Sequence, residues 1–378
     1  MIANPPSGAV AVPRRLIGRP GLVLAITSIV LAVMGLVMIL SASSIEAYRK
    51  YGSSFLFFYR QAIGFVIGLA LMAILARVDH TKLRRWARPF MGLSVIGLFA
   101  VLIPGIGSTR GGSSRWLIAG PISIQPSEMA KLALIIFCAH VLDLKGRKIL
   151  EGREMAVPIL PATGLVCLLV IAQPDLGTTV ICASCVFIVL YLAGARFRHL
   201  AMLASAGFVA VAVLALTEGY RRARVFSFLN PWADPLNTGY HTIQGQIALG
   251  SGGWFGVGLG ASRQKWSYVP NAHTDFIFAI LGEELGLAGT LFVLVMFALV
   301  IYLGIRIARA APDRFGTLVA GGITGWLGIQ ALINIGAVSG LLPITGVPLP
   351  LISYGGSSLV FSMAGIGILL SVARRSRF

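Results

Sequence analysis

Ten stretches of this chain, each 17 residues or longer, carry few charges, and that pattern decides most of what the chain can fold into. They lie at 21–41, 55–76, 89–105, 126–143, 155–173, 176–195, 199–218, 274–305, 316–338 and 349–372. Crossing the hydrocarbon core of a bilayer takes about 20 apolar residues. Inside lipid, every backbone N–H and C=O must be satisfied within the protein, so such runs fold as helices. The expected fold is an all-α polytopic membrane protein with ten transmembrane helices. Composition agrees: charged residues are 12% of the chain, against about 25% in soluble domains. The first run precedes "SAS", as a signal peptide would, but its apolar core is too long for one.

Lysine and arginine set the orientation. With the N-terminus inside, the inner segments hold twenty of these residues and the outer segments nine. Both termini are therefore expected in the cytoplasm. Residues 1–20 form an N-terminal tail, 21–373 the membrane domain and 374–378 a C-terminal tail. Residues 219–273 form a large extracytoplasmic loop between helices 7 and 8. The net charge of +18 could suggest nucleic acid. The basic residues sit in short clusters between apolar runs, however, which topology explains better, so no nucleic-acid partner is expected. Cys138, Cys167, Cys182 and Cys185 all fall in apolar runs and read as buried thiols rather than a metal or redox site.

Polar chemistry collects on the outer side. Loop 106–125 is rich in Gly and Ser and contains Trp116. Loop 219–273 is long, aromatic and basic. Its Gly-rich "GVGLGASRQK" fails the dinucleotide-binding pattern and reads as a hairpin or re-entrant turn. Most acids have ordinary places: Glu46 and Asp143 in loops, Asp175 and Asp234 as turn or cap residues. Glu128 opens helix 4, where Lys131 at i+3 can pair with it. Asp275, Glu283 and Glu284 stand apart. Counting about 20 residues at about 1.5 Å back from Arg306 reaches Gly286, so both glutamates lie near the outer boundary. Asp275 lies beyond them, and the helix must project, tilt or break at Gly286. Around Asp275 the outer loops supply Arg115, Arg221, Arg222, Arg224, Arg263 and Lys265, with Lys131 below. A carboxylate facing cations at headgroup depth suits transfer from a lipid phosphate: the acid takes a proton and the cations stabilise the leaving phosphate.

The blocks "SSRWLIAGPISIQPSEMAKLAL", "QPDLGTTV", "FLNPWADPLNTGYHTIQGQIALGSGGWFGVGLG", "YVPNAHTDFIFAILGEELG" and "TGVPLPLISYGGSSL" resemble the bacterial shape, elongation, division and sporulation family, across nearly the whole chain. "GLGASRQKWSYVPNAHTDF" is more similar to its division branch than to its elongation branch. The resemblance implies a peptidoglycan glycosyltransferase that polymerises lipid II outside the cytoplasmic (inner) membrane, at the division septum. In that reaction the 4-hydroxyl of one GlcNAc attacks the anomeric carbon of MurNAc on another lipid-linked chain, and undecaprenyl pyrophosphate leaves. It implies Asp275 as the catalytic residue. It points likewise to Trp116 and Glu128 as substrate-binding, and the cations read from the loops, Lys131, Arg115, Arg221, Arg224 and Lys265, are expected to bind substrate with them, as is His273. Implied partners are lipid II, the growing glycan strand, a class B penicillin-binding protein (a transpeptidase) and other divisome membrane proteins. No covalent cofactor is expected, and a pyrophosphate leaving group makes Mg²⁺ or Mn²⁺ a reasonable expectation. The family more often has an acid where this chain has Asn271. The rival readings are a lipid II flippase and the same polymerase acting in elongation.

Overall fold

The computed structural model describes residues 18–110, 113–119, 122–146, 157–266 and 272–376. In chain order these give α1 (Arg19–Tyr51), α2 (Leu56–Arg77), α3 (Leu83–Leu102), β1 (Gly107–Arg110), β2 (Ser113–Ala119), β3 (Ile122–Ile124), α4 (Pro126–Lys145), α5 (Ile159–Ile171) and α6 (Leu176–Leu192). Then follow α7 (Phe197–Thr217), α8 (Gly219–Leu229), α9 (Tyr240–Ser251), α10 (Ile277–Arg309), α11 (Arg314–Val338) and α12 (Gly356–Arg375). Among the described residues, seven helices are long and apolar enough to cross a membrane: α1, α2, α3 (with the turn before it), α7, α10, α11 and α12. α5 and α6 are apolar but shorter. α4 is 20 residues long and carries Glu128, Lys131, Asp143 and Lys145.

Three expectations are corrected. The fold is mainly helical but not all-α, because segment 106–125 forms a small sheet in the order β1-β2-β3. Both pairings are antiparallel, with Trp116 opposite Ser108 and Leu117 opposite Ile124. α1 runs to Tyr51 rather than stopping near 41, so Glu46 is helical and not a loop residue. The last helix starts at Gly356 and not at 349. Pro343, Gly346, Pro348 and Pro350 interrupt the apolar run ahead of it, since proline lacks the N–H a helix needs.

α12 packs most extensively on α2. Small residues let the two backbones approach, the usual means of packing helices in lipid. A Cβ at Gly64 would sit 3.1 Å from the Gly356 Cα, and one at Gly367 would meet the Met72 carbonyl oxygen at 2.7 Å. Loops from distant parts of the chain meet at one end of the bundle. There Arg84 bonds Asp313 at 2.6 Å and pairs with Asp143 at 3.2 Å. His80 Nε2 reaches Asp313 at 2.9 Å, and Arg375 pairs with Asp79 at 2.7 Å. These are the loops that the charge bias groups on one side. The four cysteines are free, three of them buried within helices.

Candidate active site

Between α11 and α12 the chain makes an irregular excursion, residues 339–355, into the packed bundle. Irregular backbone at this depth survives only if protein satisfies its polar groups. Three buried amide side chains do so. Gln61 of α2 accepts from Gly355 N at 3.0 Å and donates to Ser353 O at 3.3 Å. Gln330 of α11 donates to Pro348 O at 2.9 Å. Asn334, one turn further along, donates to Val347 O at 2.7 Å and to the backbone oxygen of Asp275 at 2.9 Å. One asparagine thus staples the Asp275 turn to this loop. A Cβ at Gly346 would lie 3.6 Å from Asp275 Oδ2, so the loop passes directly beside the carboxylate.

Asp275 lines a cavity of about 280 Å³ together with Arg224 and Ser227 of α8, Asn237 and Thr238, His241 of α9, Phe276 and Ile344. It lies in the turn ahead of α10. Burial raises its carboxyl to about 6, against the pull of Arg224, Arg115 and His273, while Asp175 adds a further push upward. That value leaves it mostly ionised at neutral pH yet basic enough to take a proton. Arg224 also donates to Ile344 O at 3.4 Å. His241 titrates below the usual histidine value because of burial and then Arg224, so it is a neutral imidazole near pH 7. Asp234 accepts from Asn237 Nδ2 at 2.9 Å and from Thr238 N at 3.2 Å, which fixes the turn presenting both residues to the cavity.

The other expected site residues fall into groups. Arg115, on β2, pairs with Asp175 at 3.3 Å and donates to Gln173 O and Pro174 O at 3.1 and 2.5 Å. It ties the sheet to the start of α6, close enough to influence Asp275. Trp116, next on β2, is half-buried. Glu128 and Lys131 form a buried pair at 2.8 Å. Lys131 also donates to Gln330 Oε1 at 2.7 Å, Trp326 Nε1 donates to the same oxygen at 2.8 Å, and the Trp326 ring lies 5.2 Å from the ammonium. This pair therefore supports the 339–355 loop through Gln330 and does not line the cavity. Arg221 is in α8, its side chain outside the described residues, as is Asn271. His273 is buried beside Phe57, Tyr354 and Glu46.

Lys265 departs from its expected place among the outer cations. It is buried, donating to Gly260 O at 2.5 Å and sitting 3.5 Å from Glu284 Oε1. The acids at 283 and 284 are anchors. Glu283 accepts from Ser262 Oγ, from Arg263 N at 3.0 Å and from Gln264 N at 3.4 Å. Glu284 accepts from Ser41 Oγ at 2.6 Å. α10 does break at Gly286, whose φ of 67° and ψ of −163° are open to glycine without strain. The Gly-rich segment fills the break: Val257 N and Gly258 N donate to Glu283 O and Glu284 O, and Leu287 N and Ala288 N donate to Gly253 O and Trp254 O.

Sequence reasoning missed His241, Ser227, Asn237, Thr238 and the 339–355 loop. The Pro/Gly density of "LLPITGVPLPLISYGG" was the available signal for the loop. Among the described residues, no group of three or more His, Cys, Asp or Glu side chains could hold a metal ion. The protein side of the cavity does not form a metal cage for the expected Mg²⁺ or Mn²⁺.

The profile of the FtsW, RodA and SpoVE family, described as cell cycle proteins, matches residues 22–378. Stage V sporulation protein E of Bacillus subtilis is 45% identical over 95% of this chain and 98% of its own length. A probable peptidoglycan glycosyltransferase FtsW of Geobacter metallireducens is 40% identical over 96% of both chains. Among solved structures, a chain of a peptidoglycan synthase complex that coordinates polymerisation and crosslinking superposes with a TM-score of 0.77 at 32% identity, covering 93% of this chain and 97% of that one. Rod shape determining protein RodA of Thermus thermophilus gives 0.70 at 30% identity, over 94% and 97%. With the fold, the long sequence blocks and the profile in agreement, this chain belongs to the FtsW, RodA and SpoVE family of cell cycle proteins.

Proposed function

We propose that this protein is a peptidoglycan glycosyltransferase that polymerises lipid II at the outer face of the cytoplasmic membrane, in septal wall synthesis. The observation that carries the reading is Asp275, its backbone stapled by Asn334, at a cavity that Arg224 also lines. Asp275 takes the proton of the acceptor's 4-hydroxyl as that oxygen attacks the anomeric carbon of the donor. The donor's bond to undecaprenyl pyrophosphate breaks on the opposite face, inverting the centre. Arg224 meets the charge that builds on the departing pyrophosphate, where a fixed cation contributes most. Identities of 45% and 40% to the sporulation and FtsW relatives, against 30% to RodA, favour the septal branch over the elongation branch. Reconstitution in liposomes with purified lipid II tests the reading. Glycan product supports it, and lipid translocation without product would establish the flippase instead. Against a flippase, Lys131 and Glu283 are buried in side-chain and backbone bonds rather than facing a path.

Arg224→Gln is expected to lower kcat by roughly 10²-fold. Arg222→Gln, at an exposed position on the same helix, is expected to stay within about twofold, as surface substitutions generally do. Steady-state kinetics on lipid II decide it, and equal small losses would reduce both to headgroup anchors. Any Mg²⁺ or Mn²⁺ is proposed to arrive on the pyrophosphate.

We further propose ten spans, with α4, α5 and α6 completing the seven long helices and both termini cytoplasmic. Single cysteines at the exposed positions Lys50, Leu236 and Leu341 should label from outside, and those at Lys82 and Pro312 should not. A class B penicillin-binding protein is the proposed partner, seated on the lipid-facing sides of α10 and α11, where Leu291, Val295, Tyr302 and Leu332 are exposed.

A further inference from the structure

The turn that carries Asp275 is gripped by one imidazole that does not line the cavity. His273 is only 7% exposed. Its Nδ1 lies 3.3 Å from Glu46 Oε2, near the end of α1. Its ring stacks on Phe57 of α2, with centroids 4.8 Å apart and planes 28° apart, and meets the Tyr354 ring at 5.4 Å. Its carbonyl accepts from Tyr354 N at 3.0 Å. Helices α1 and α2 and the 339–355 loop therefore converge on a residue two positions from the acid. On the far side, Asn334 holds the Asp275 carbonyl.

We propose that Glu46 and His273 are a positioning pair for the transfer reaction, Glu46 orienting the imidazole so that the 272–276 turn holds Asp275 at the cavity that Arg224 also lines. The inference rests on the glycosyltransferase reading. Neither residue touches substrate. Their contribution is geometric, because a displacement of about 1 Å at a reacting group can cost about 10²-fold in rate. Among the described residues, these charged groups bear on the pair and on Asp275. Glu46 and Lys50 face it from α1, with Nζ of Lys50 2.6 Å from Glu46 Oε1. Arg224, Arg115 and Asp175 act on Asp275 from α8, β2 and the start of α6.

The test is lipid II polymerisation by the full-length protein in liposomes, comparing wild type with Glu46→Gln and His273→Gln. Both variants should lose about 10- to 100-fold in kcat with KM within twofold. In His273→Gln the acid limb of the pH–rate profile should move to higher pH, since His273 pulls the Asp275 carboxyl down. Glu46→Gln keeps the side chain's shape but loses the pairs to His273 and Lys50, so its unfolding temperature should drop modestly while it stays folded, and it decides the matter if His273→Gln unfolds. Glu46→Asp should recover part of the rate. A rise in KM at unchanged kcat would make His273 a substrate contact and overturn the proposal. So would a wild-type kcat and an unmoved acid limb. Wild-type protein that makes no glycan sinks the polymerase reading, and the pair's role with it.

Discussion

Asp275→Asn is expected to abolish glycan synthesis, a loss of roughly 10²- to 10⁴-fold from the missing base alone, while leaving the folded protein at least as stable as wild type. The second half of that statement follows from the sign of the titration shift. The carboxyl is raised in the folded state to about 6, so ionising it costs folding free energy. That cost is absent below the unfolded value near 3.9, grows as pH rises, and is fully present above about 6. Asparagine removes it. At pH 7.5 the variant should therefore unfold at the same temperature or higher, and any gain should vanish below about pH 4. In the wild type, activity should fall as pH drops through about 6, where Asp275 protonates. Lipid II turnover and thermal unfolding on the same preparation check both halves. A variant that polymerises near the wild-type rate would leave Asp275 a structural turn residue.

Lys131→Met should produce the largest loss of stability, about 3–5 kcal/mol, the penalty for stranding one member of a buried ion pair. Glu128 would be left at 1% exposure without its ion-pair partner, with Oε2 already lacking a hydrogen-bond partner. The change also releases Gln330, whose other end holds Pro348 O in the loop beside Asp275. Activity should fall along with stability. Adding Glu128→Leu removes the stranded carboxyl and should recover most of the stability. Denaturant unfolding of the single and double variants in detergent measures this. If Lys131→Met alone unfolds like wild type, the pair is not buried as described.

The helices were legible because lipid leaves the backbone no other choice, and the long apolar runs mark them directly. The break at Gly286 was one of three outcomes allowed by counting rise per residue from Arg306. Asp275 stood out because an acid beyond the end of an apolar helix has few ordinary uses. The roles of Glu283, Glu284 and Lys265 were not legible. All three are polar residues near the outer boundary, and only the fold reveals that they bond one another's loop. His241 and Asn237 carry no signal of their own, since a histidine or asparagine in a polar loop is unremarkable until a cavity closes around it. The sheet at 107–124 was hidden by short strands and Gly/Ser composition, which read as loop.

The close approach of α2 to α12 has a consequence for how the chain is made. Gly64 must wait for Gly356, 292 residues later in the sequence. At synthesis rates of about 5–20 residues per second, that interval is roughly 15–60 s. Throughout it the small-residue face of α2 has no native neighbour and is open to lipid or to helper proteins of the insertion machinery. A nascent chain halted before residue 356 should therefore expose this face to crosslinkers, and completion of the last helix should protect it.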